Sequence, residues 1–326
     1  MSAGPATPLA RLLRMREAPI IIFFFLVVAV LSVTVDGFWS LSNLGTLSRQ
    51  VAVIGLLSIG MTLVILTRGI DLSVGAVMAF AISIAGMLGI LGGWPIWAVY
   101  ALMLALGLGL GLINGILVIH FDVHPIIITL GTMSIIRGGL MVITGGMFIT
   151  PIPSGYLWIG SGYVPVTILL VTLVVFQLLL WRSRFGRNLY AIGSNTEAAS
   201  ASGVPVDRYR VWVYVISGGL AALAGMILVG RSGFVQPQVA FTGYELSAIA
   251  AVVIGGASIF GGSGSLIGTF FGAALLAVIL AGMTMRGVDA HWQGAVQGAL
   301  IVLALSLDYL RQRQSERALR QARRRG

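Results

Sequence analysis

The stretch GGASIFGGSGS, residues 255–265, has the spacing of a phosphate-cradling loop. Its core, Gly256 to Ser263, reads G-x-x-x-x-G-G-S against the P-loop pattern G-x-x-x-x-G-K-[ST], with Gly262 where the lysine belongs. That lysine sets an ammonium against the β- and γ-phosphates. The chain has no lysine; all twenty of its basic residues are arginine. No P-loop is therefore present, and any ATP that drives this protein must bind another polypeptide. A second pattern, His120-x-Asp122-x-His124, has metal-ligating residue types but sits in a short loop beside Pro125 with no fourth ligand at a zinc-like spacing. It reads as loop residues, and no metal is expected. Without cysteine there is no thiol nucleophile and no disulfide framework, and no catalytic residue is assigned.

Four polar residues interrupt long apolar runs: Asp71, Asn114, Arg137 and Glu245. Ionisable groups at membrane depth are candidates for a path or gate. Each also has a plainer reading. Asp71, in TRGIDLSVG, fits a corner in which Gly69 ends one helix and Asp71 caps the next. Asn114 and Arg137 could only tie helices together, and Glu245 suits the positive start of its own helix.

Those runs define the elements that must position these residues. Charged residues make up 9% of the chain and apolar ones 58%, against about 25% charged in an average soluble domain. A chain of this size cannot cover a water-exposed surface with so few charges, so the fold class is an all-α integral membrane protein. Roughly 17–25 apolar residues cross about 30 Å of hydrocarbon. Ten such runs are expected, at about 19–37, 50–66, 72–91, 95–118, 124–143, 163–181, 210–230, 245–261, 265–284 and 292–310. The first follows Arg11, Arg14 and Arg16 and lacks an Ala-x-Ala cleavage site after Val35, so it reads as a retained span.

The net charge of +10 suggests nucleic acid until the arginines are located. With the N-terminus in the cytoplasm, sixteen arginines lie inside and three outside (Arg49, Arg231 and Arg286), with Arg137 within a span. This satisfies the positive-inside rule and places both termini in the cytoplasm. The expected layout is a cytoplasmic tail over 1–18, one transmembrane domain over 19–310 with a cytoplasmic loop at 182–210, and a basic cytoplasmic tail over 311–326. All seven tryptophans fall at or near span ends, as interfacial anchors do. Five spans per half would invert the second half, the plan by which many transporters place a path at the repeat interface. Little residue identity joins the halves.

Glycines recur every four residues at Gly107, Gly111 and Gly115 and at Gly264, Gly268 and Gly272. Such stripes let helix backbones approach closely in lipid. Gly255, Gly256, Gly261 and Gly262 mark a broken helix and a tight turn, tolerated at that depth only when buried in protein or lining a wet cavity; Gly255 and Gly256 join the path candidates. The polar stretch from Trp181 to Arg210 is longer than a turn needs. It holds the small-residue run Glu197 to Gly203 and fits a short helix capped by Ser194 or Thr196, presented to a soluble partner.

Three segments in order, GIDLSVGAVMAF, GRNLYAIGSNTEAASASGV and ELSAIAAVVIGGASIFGGSGSLIGTFFGA, resemble the signature segments of ABC-importer permeases of the ribose/xylose/arabinose type, a family that includes autoinducer-2 permeases. The resemblance runs from about Ser42 to Asp308. It implies a ten-helix permease in the bacterial inner membrane, importing a ribose-like pentose or related monosaccharide by alternating access. It also implies the partners: a second permease chain (identical or paralogous), two cytoplasmic ATPase domains that hold the ATP and magnesium, and a periplasmic sugar-binding protein. No cofactor is expected on this chain. The family's coupling motif maps onto Glu197, Ala198, Ala199 and Gly203, where the common EAARLSGI reads EAASASGV, with Ser200 and Ala201 replacing arginine and leucine. An autoinducer-2 or polyol permease, an ion-coupled secondary transporter using Asp71 or Glu245, and a non-transporting membrane receptor remain as alternatives.

Overall fold

The computed structural model describes residues 17–121 and 123–325, with the side chains at 241, 290, 307 and from 310 onward outside the description. Asp122 and the arginines of both tails lie outside the described residues or side chains. The described residues are mostly helical, and the extended pairing among them is a single antiparallel bridge between Ile149 and Val235. In chain order the helices are α1 (Ala18–Thr34), α2 (Leu41–Leu66), α3 (Val74–Ala85), α4 (Ile96–His120), α5 (Pro125–Thr144) and α6 (Val164–Arg182). They are followed by α7 (Arg184–Ser194), α8 (Thr196–Ala201), α9 (Val206–Ser232), α10 (Tyr244–Ile254), α11 (Leu266–Met285) and α12 (Ala290–Arg325). A π-helical turn, Gly86–Ile90, extends α3, and 3₁₀ turns cover Ser154–Gly160 and Pro237–Phe241.

Each expected span has a helix at its position. Seven stretches among the described residues have the length and hydropathy to cross a membrane, and Ala18–Thr34 and Val74–Ile90 are apolar but shorter. The chain is a multi-pass membrane protein.

Its centre is α2 crossing α9. Every α2 residue from Ala52 to Leu66 is buried, as expected of a helix that is apolar all round. A β-carbon on Gly60 would lie 3.0 Å from Ser217 Cα, so the two backbones nearly touch. Glycines serve the same purpose on α4, where Gly107, Gly111 and Gly115 face the backbone of α9 at Gly218, Tyr214 and Val211. On α11, Gly268 and Gly272 face the end of α10 at Gly255 and Ala251. Gly264 precedes α11 and packs on Ala257, so it belongs to the turn and not to the helical stripe.

The two ends of the bundle differ. At the loop face, Gly262 N donates to Leu66 O (3.1 Å), Tyr190 OH to Gly264 O (3.0 Å) and Ser258 Oγ to Asp308 Oδ2 (3.1 Å). At the opposite face, Arg286 Nη2 donates to Thr34 O (2.5 Å), and Tyr156 OH donates to Trp94 O (3.3 Å).

Several local expectations change. Arg68, not Gly69, takes the left-handed conformation after α2 (φ 66°), and Gly69 is small because a β-carbon would meet the Tyr214 hydroxyl and Val64. Ser73 stands at the N-cap position of α3 without a side-chain cap bond, and Asp71 supplies the capping acceptor, accepting from Ser73 N at Oδ1 (3.0 Å). The loop folds into two helices rather than one, and the cap of α8 is Asn195, whose side chain accepts from Ala198 N (3.0 Å), not Ser194 or Thr196. Helix α10 stops at Ile254 because Gly256, Gly261 and Gly262 all need positive φ. The expected run to 261 is thus a helix plus a turn.

Candidate functional site

A polar cavity of about 440 Å³ lies between α2, α9, α10, α11 and α12. One helical face of α2 supplies Asn43, Thr46 and Gln50, and α12 supplies Gln293 and Gln297 one turn apart. The first turn of α10 supplies Tyr244 and Ser247. Val53, Ile54, Leu280 and Ala281 make its apolar part. The wall is cross-tied: Gln297 Nε2 donates to Ser247 Oγ (2.8 Å) and Gln293 Nε2 to Thr284 Oγ1 (3.1 Å). Arg231 is the single charged residue among those lining the cavity, and no carboxylate lines it among the described residues. Amides and hydroxyls that both donate and accept suit a neutral polyhydroxylated molecule, and the volume falls in the range of small-molecule pockets, about 300–1,000 Å³.

The ionisable groups singled out in the sequence lie elsewhere, in two buried clusters. Asp71, 1% exposed, accepts at Oδ1 from Ser73 N (3.0 Å) and Ser73 Oγ (2.6 Å), and at Oδ2 from Ser217 Oγ of α9 (3.3 Å). Asn114 Nδ2 donates to Ser73 Oγ (2.7 Å), which brings Asn114 and Asp71 together. In the second cluster Arg137 Nη2 donates to Glu245 Oε1 (2.8 Å) while its Nε donates to Ala240 O (2.8 Å). Glu245 is buried, so this pair is less screened than a surface ion pair and breaking it would strand a charge. Gly255 closes the far end of α10 against Gly268 of α11, Gly256 follows it with open space around it, and neither lines the cavity.

At the loop face α8 presents Glu197, Ala198 and Ser200 to solvent and buries Ala199 against Ile192 and Val206. Gly203 has φ 82° with open space around it. Beside it runs a groove of about 790 Å³ lined by Glu197, Ser200, Val204, Asp207 and Arg208 among others. No cluster of three or more metal-ligating side chains occurs among the described residues. His120 ends α4, and His124 caps α5 by accepting from Ile126 N (3.4 Å).

Sequence reasoning passed over the residues that line the cavity. The available signal was a set of neutral polar side chains sharing one helical face, Asn43, Thr46 and Gln50 on α2 and Gln293 and Gln297 on α12.

No solved structure matches the chain. Among curated proteins, the ribose import permease protein RbsC of Bacillus subtilis (strain 168) is 40% identical over 292 residues, covering 87% of this chain and 90% of its own. RbsC of Escherichia coli (strain K12) is 36% identical, with 91% and 94% covered. The xylose transport system permease protein XylH of Escherichia coli (strain K12) is 33% identical, with 90% and 93% covered. Residues 43–305, nearly all of the helical bundle, match one family along their whole length. The chain belongs to the branched-chain amino acid transport system / permease component family.

Proposed function

We propose that this chain is the permease subunit of an ATP-driven importer that carries a monosaccharide, a ribose-like pentose or a related sugar, across the bacterial inner membrane. The observation that carries the reading is the polar cavity, lined by amides and hydroxyls with Arg231 as its single charged residue, in a chain whose relatives are named ribose and xylose permeases. Ten crossings, in two inverted five-helix halves with both termini cytoplasmic, fit the arginine asymmetry and the shared loop-face position of Glu17, beside Gly268, and Asp308. In that orientation the cavity opens to the periplasm, where a sugar-binding protein delivers cargo. The loop face meets two ATPase domains, which hold the ATP and magnesium, and a second permease chain completes the pore.

Mechanistically, the cavity receives the sugar through the amides of α2 and α12, and its apolar floor holds the path closed below. ATPase closure presses on α7 and α8 through Glu197, Ala198, Ala199 and Gly203. The movement reaches the buried clusters of Asp71–Asn114 and Arg137–Glu245, which line the gate. The chain performs no covalent chemistry.

The family's description names branched-chain amino acids, which gives a second reading. Arg231 would suit a zwitterion's carboxylate, but no carboxylate among the described residues lines the cavity to pair with its ammonium group. Uptake into proteoliposomes containing the chain, its ATPase and its binding protein tests both. ATP-dependent accumulation of labelled ribose, xylose or galactose is expected. Accumulation of leucine instead, or sugar uptake driven by a proton gradient without ATP, would overturn the proposal.

A further inference from the structure

The segments Gly69-Ile70-Asp71-Leu72-Ser73 and Gly243-Tyr244-Glu245-Leu246-Ser247 share the pattern Gly-x-acid-Leu-Ser. Each stands where a short buried helix begins, α3 or α10. The onset differs by one turn: Ser73 is the N-cap of α3, whereas Gly243 is the N-cap of α10. From these starts the helices run in opposite senses. Helix α3 leads to Gly86, packed on Ile149 and Val235 at the opposite face, and α10 leads to Gly255, packed on Gly268 near the loop face.

The starts touch. A β-carbon on Gly75 would lie 2.5 Å from Glu245 Oε2 and 3.6 Å from Glu245 N. That Oε2 is buried without a hydrogen-bond partner and faces the first turn of α3, the positive end of a helix dipole. The packing is exchanged in the same way: α3 lies on α9 while α10 lies on α2, and α3 packs on α4 as α10 packs on α11. Among the described residues the outermost helices break the exchange, with α1 on α11 and α6 on α2 and α11. If the chain is divided between α5 and α6, each acid is held from the other half, Asp71 by Ser217 and Glu245 by Arg137.

We propose that the two Gly-x-acid-Leu-Ser turns are pseudo-twofold counterparts forming one reciprocal clasp, in which Glu245 positions α10 against the start of α3 beneath the cavity. The clasp rests on the reading of the cavity as the cargo path, because Tyr244 and Ser247, in the same helical turn as Glu245, line it. Cargo touching that turn bears directly on the clasp. Half-helix starts meeting at the repeat interface are a known way to build such a gate.

The test uses the absence of native cysteine. Ala248→Cys places a thiol on α10 at a fully buried position, and its reaction with a water-soluble maleimide reports opening whether or not sugar is carried. In the full chain in nanodiscs, Glu245→Gln keeps the side-chain shape and should speed labelling by about tenfold, as expected when a two-state equilibrium loses one clasp. Gly75→Ala should do the same by displacing the carboxylate, and adding Glu245→Asp, one methylene shorter, should restore protection. Asp71→Asn combined with Glu245→Gln should label no faster than the faster single variant, because interacting groups are not additive. Unchanged labelling in Glu245→Gln, or multiplied rates in the double variant, would overturn the clasp. Should Gly75→Ala fail to fold, Glu245→Gln decides alone. Altered labelling in a chain that carries no sugar would leave the clasp standing and reject the transport reading.

Discussion

Arg68 holds Gly193. Its Nε donates to the Gly193 carbonyl (2.7 Å) and its Nη2 to the Ser194 carbonyl (2.8 Å), which closes the end of α7 from the corner after α2. Arg68 does this from a left-handed backbone (φ 66°), which costs a non-glycine residue roughly 1–2 kcal/mol. Arg68→Ala loses both hydrogen bonds and keeps the strain, whereas Arg68→Gly loses the bonds and relieves it. The glycine variant should therefore be the more stable by about 1 kcal/mol, and a lower thermal midpoint for it than for the alanine variant would refute the account.

Within the cavity, Gln297 both faces the cargo space and donates to Ser247. Gln297→Leu removes a donor to Ser247, whose hydroxyl keeps its bond to Gly243 O (3.3 Å), and takes a polar group from the cargo space, a loss of about 0.5–1.5 kcal/mol. Uptake at limiting sugar should fall by up to about tenfold, with insertion and ATPase association unchanged. Normal uptake would mean that the path lies elsewhere.

Close packing sets a contrast between two glycines. A side chain at Gly268 would strike the Gly255 carbonyl, whereas Gly131 on α5 has open space around it. Gly268→Leu should destabilise the fold by about 1–3 kcal/mol or more. Gly131→Leu should melt like the wild type in detergent. Equal melting of the two variants would show that the α10–α11 contact is not tight.

On the loop face, Glu197 is exposed and Gly203 adopts φ 82°. Glu197→Arg should lower ligand-stimulated ATP hydrolysis by about tenfold, the scale of an interface hot spot. It should change stability of the isolated chain by less than about 0.5 kcal/mol. Gly203→Trp should abolish uptake while membrane insertion persists. Wild-type hydrolysis and uptake in both variants would exclude this loop as the coupling element.

Much of the bundle was legible because hydropathy and helix length follow from the thickness of the bilayer. The same criterion hid the cavity. A span over 50–66 is what hydropathy selects, yet α2 begins at Leu41, and the stretch left out contains Asn43 and Thr46, with Gln50 at its boundary. Residues that build a polar path lower the very average by which spans are found. Arg137 and Glu245 were visible singly, but their pairing joins residues 108 apart in sequence and needed the fold. The repeated Gly-x-acid-Leu-Ser turn was present in the sequence throughout. Low identity between the halves concealed it, since close packing and an acid at each turn constrain only a few positions.

The seven tryptophans decide how this protein can be observed. Trp39, Trp94, Trp97, Trp158, Trp181, Trp212 and Trp292 are all exposed on the outside of the bundle, and none is among the residues lining the cavity. Intrinsic emission therefore reports the lipid boundary, where brominated acyl chains should quench it, and stays blind to cargo. An optical signal for occupancy has to be built in, and Met285, which borders the cavity and is 37% exposed, offers a position for a tryptophan substitution.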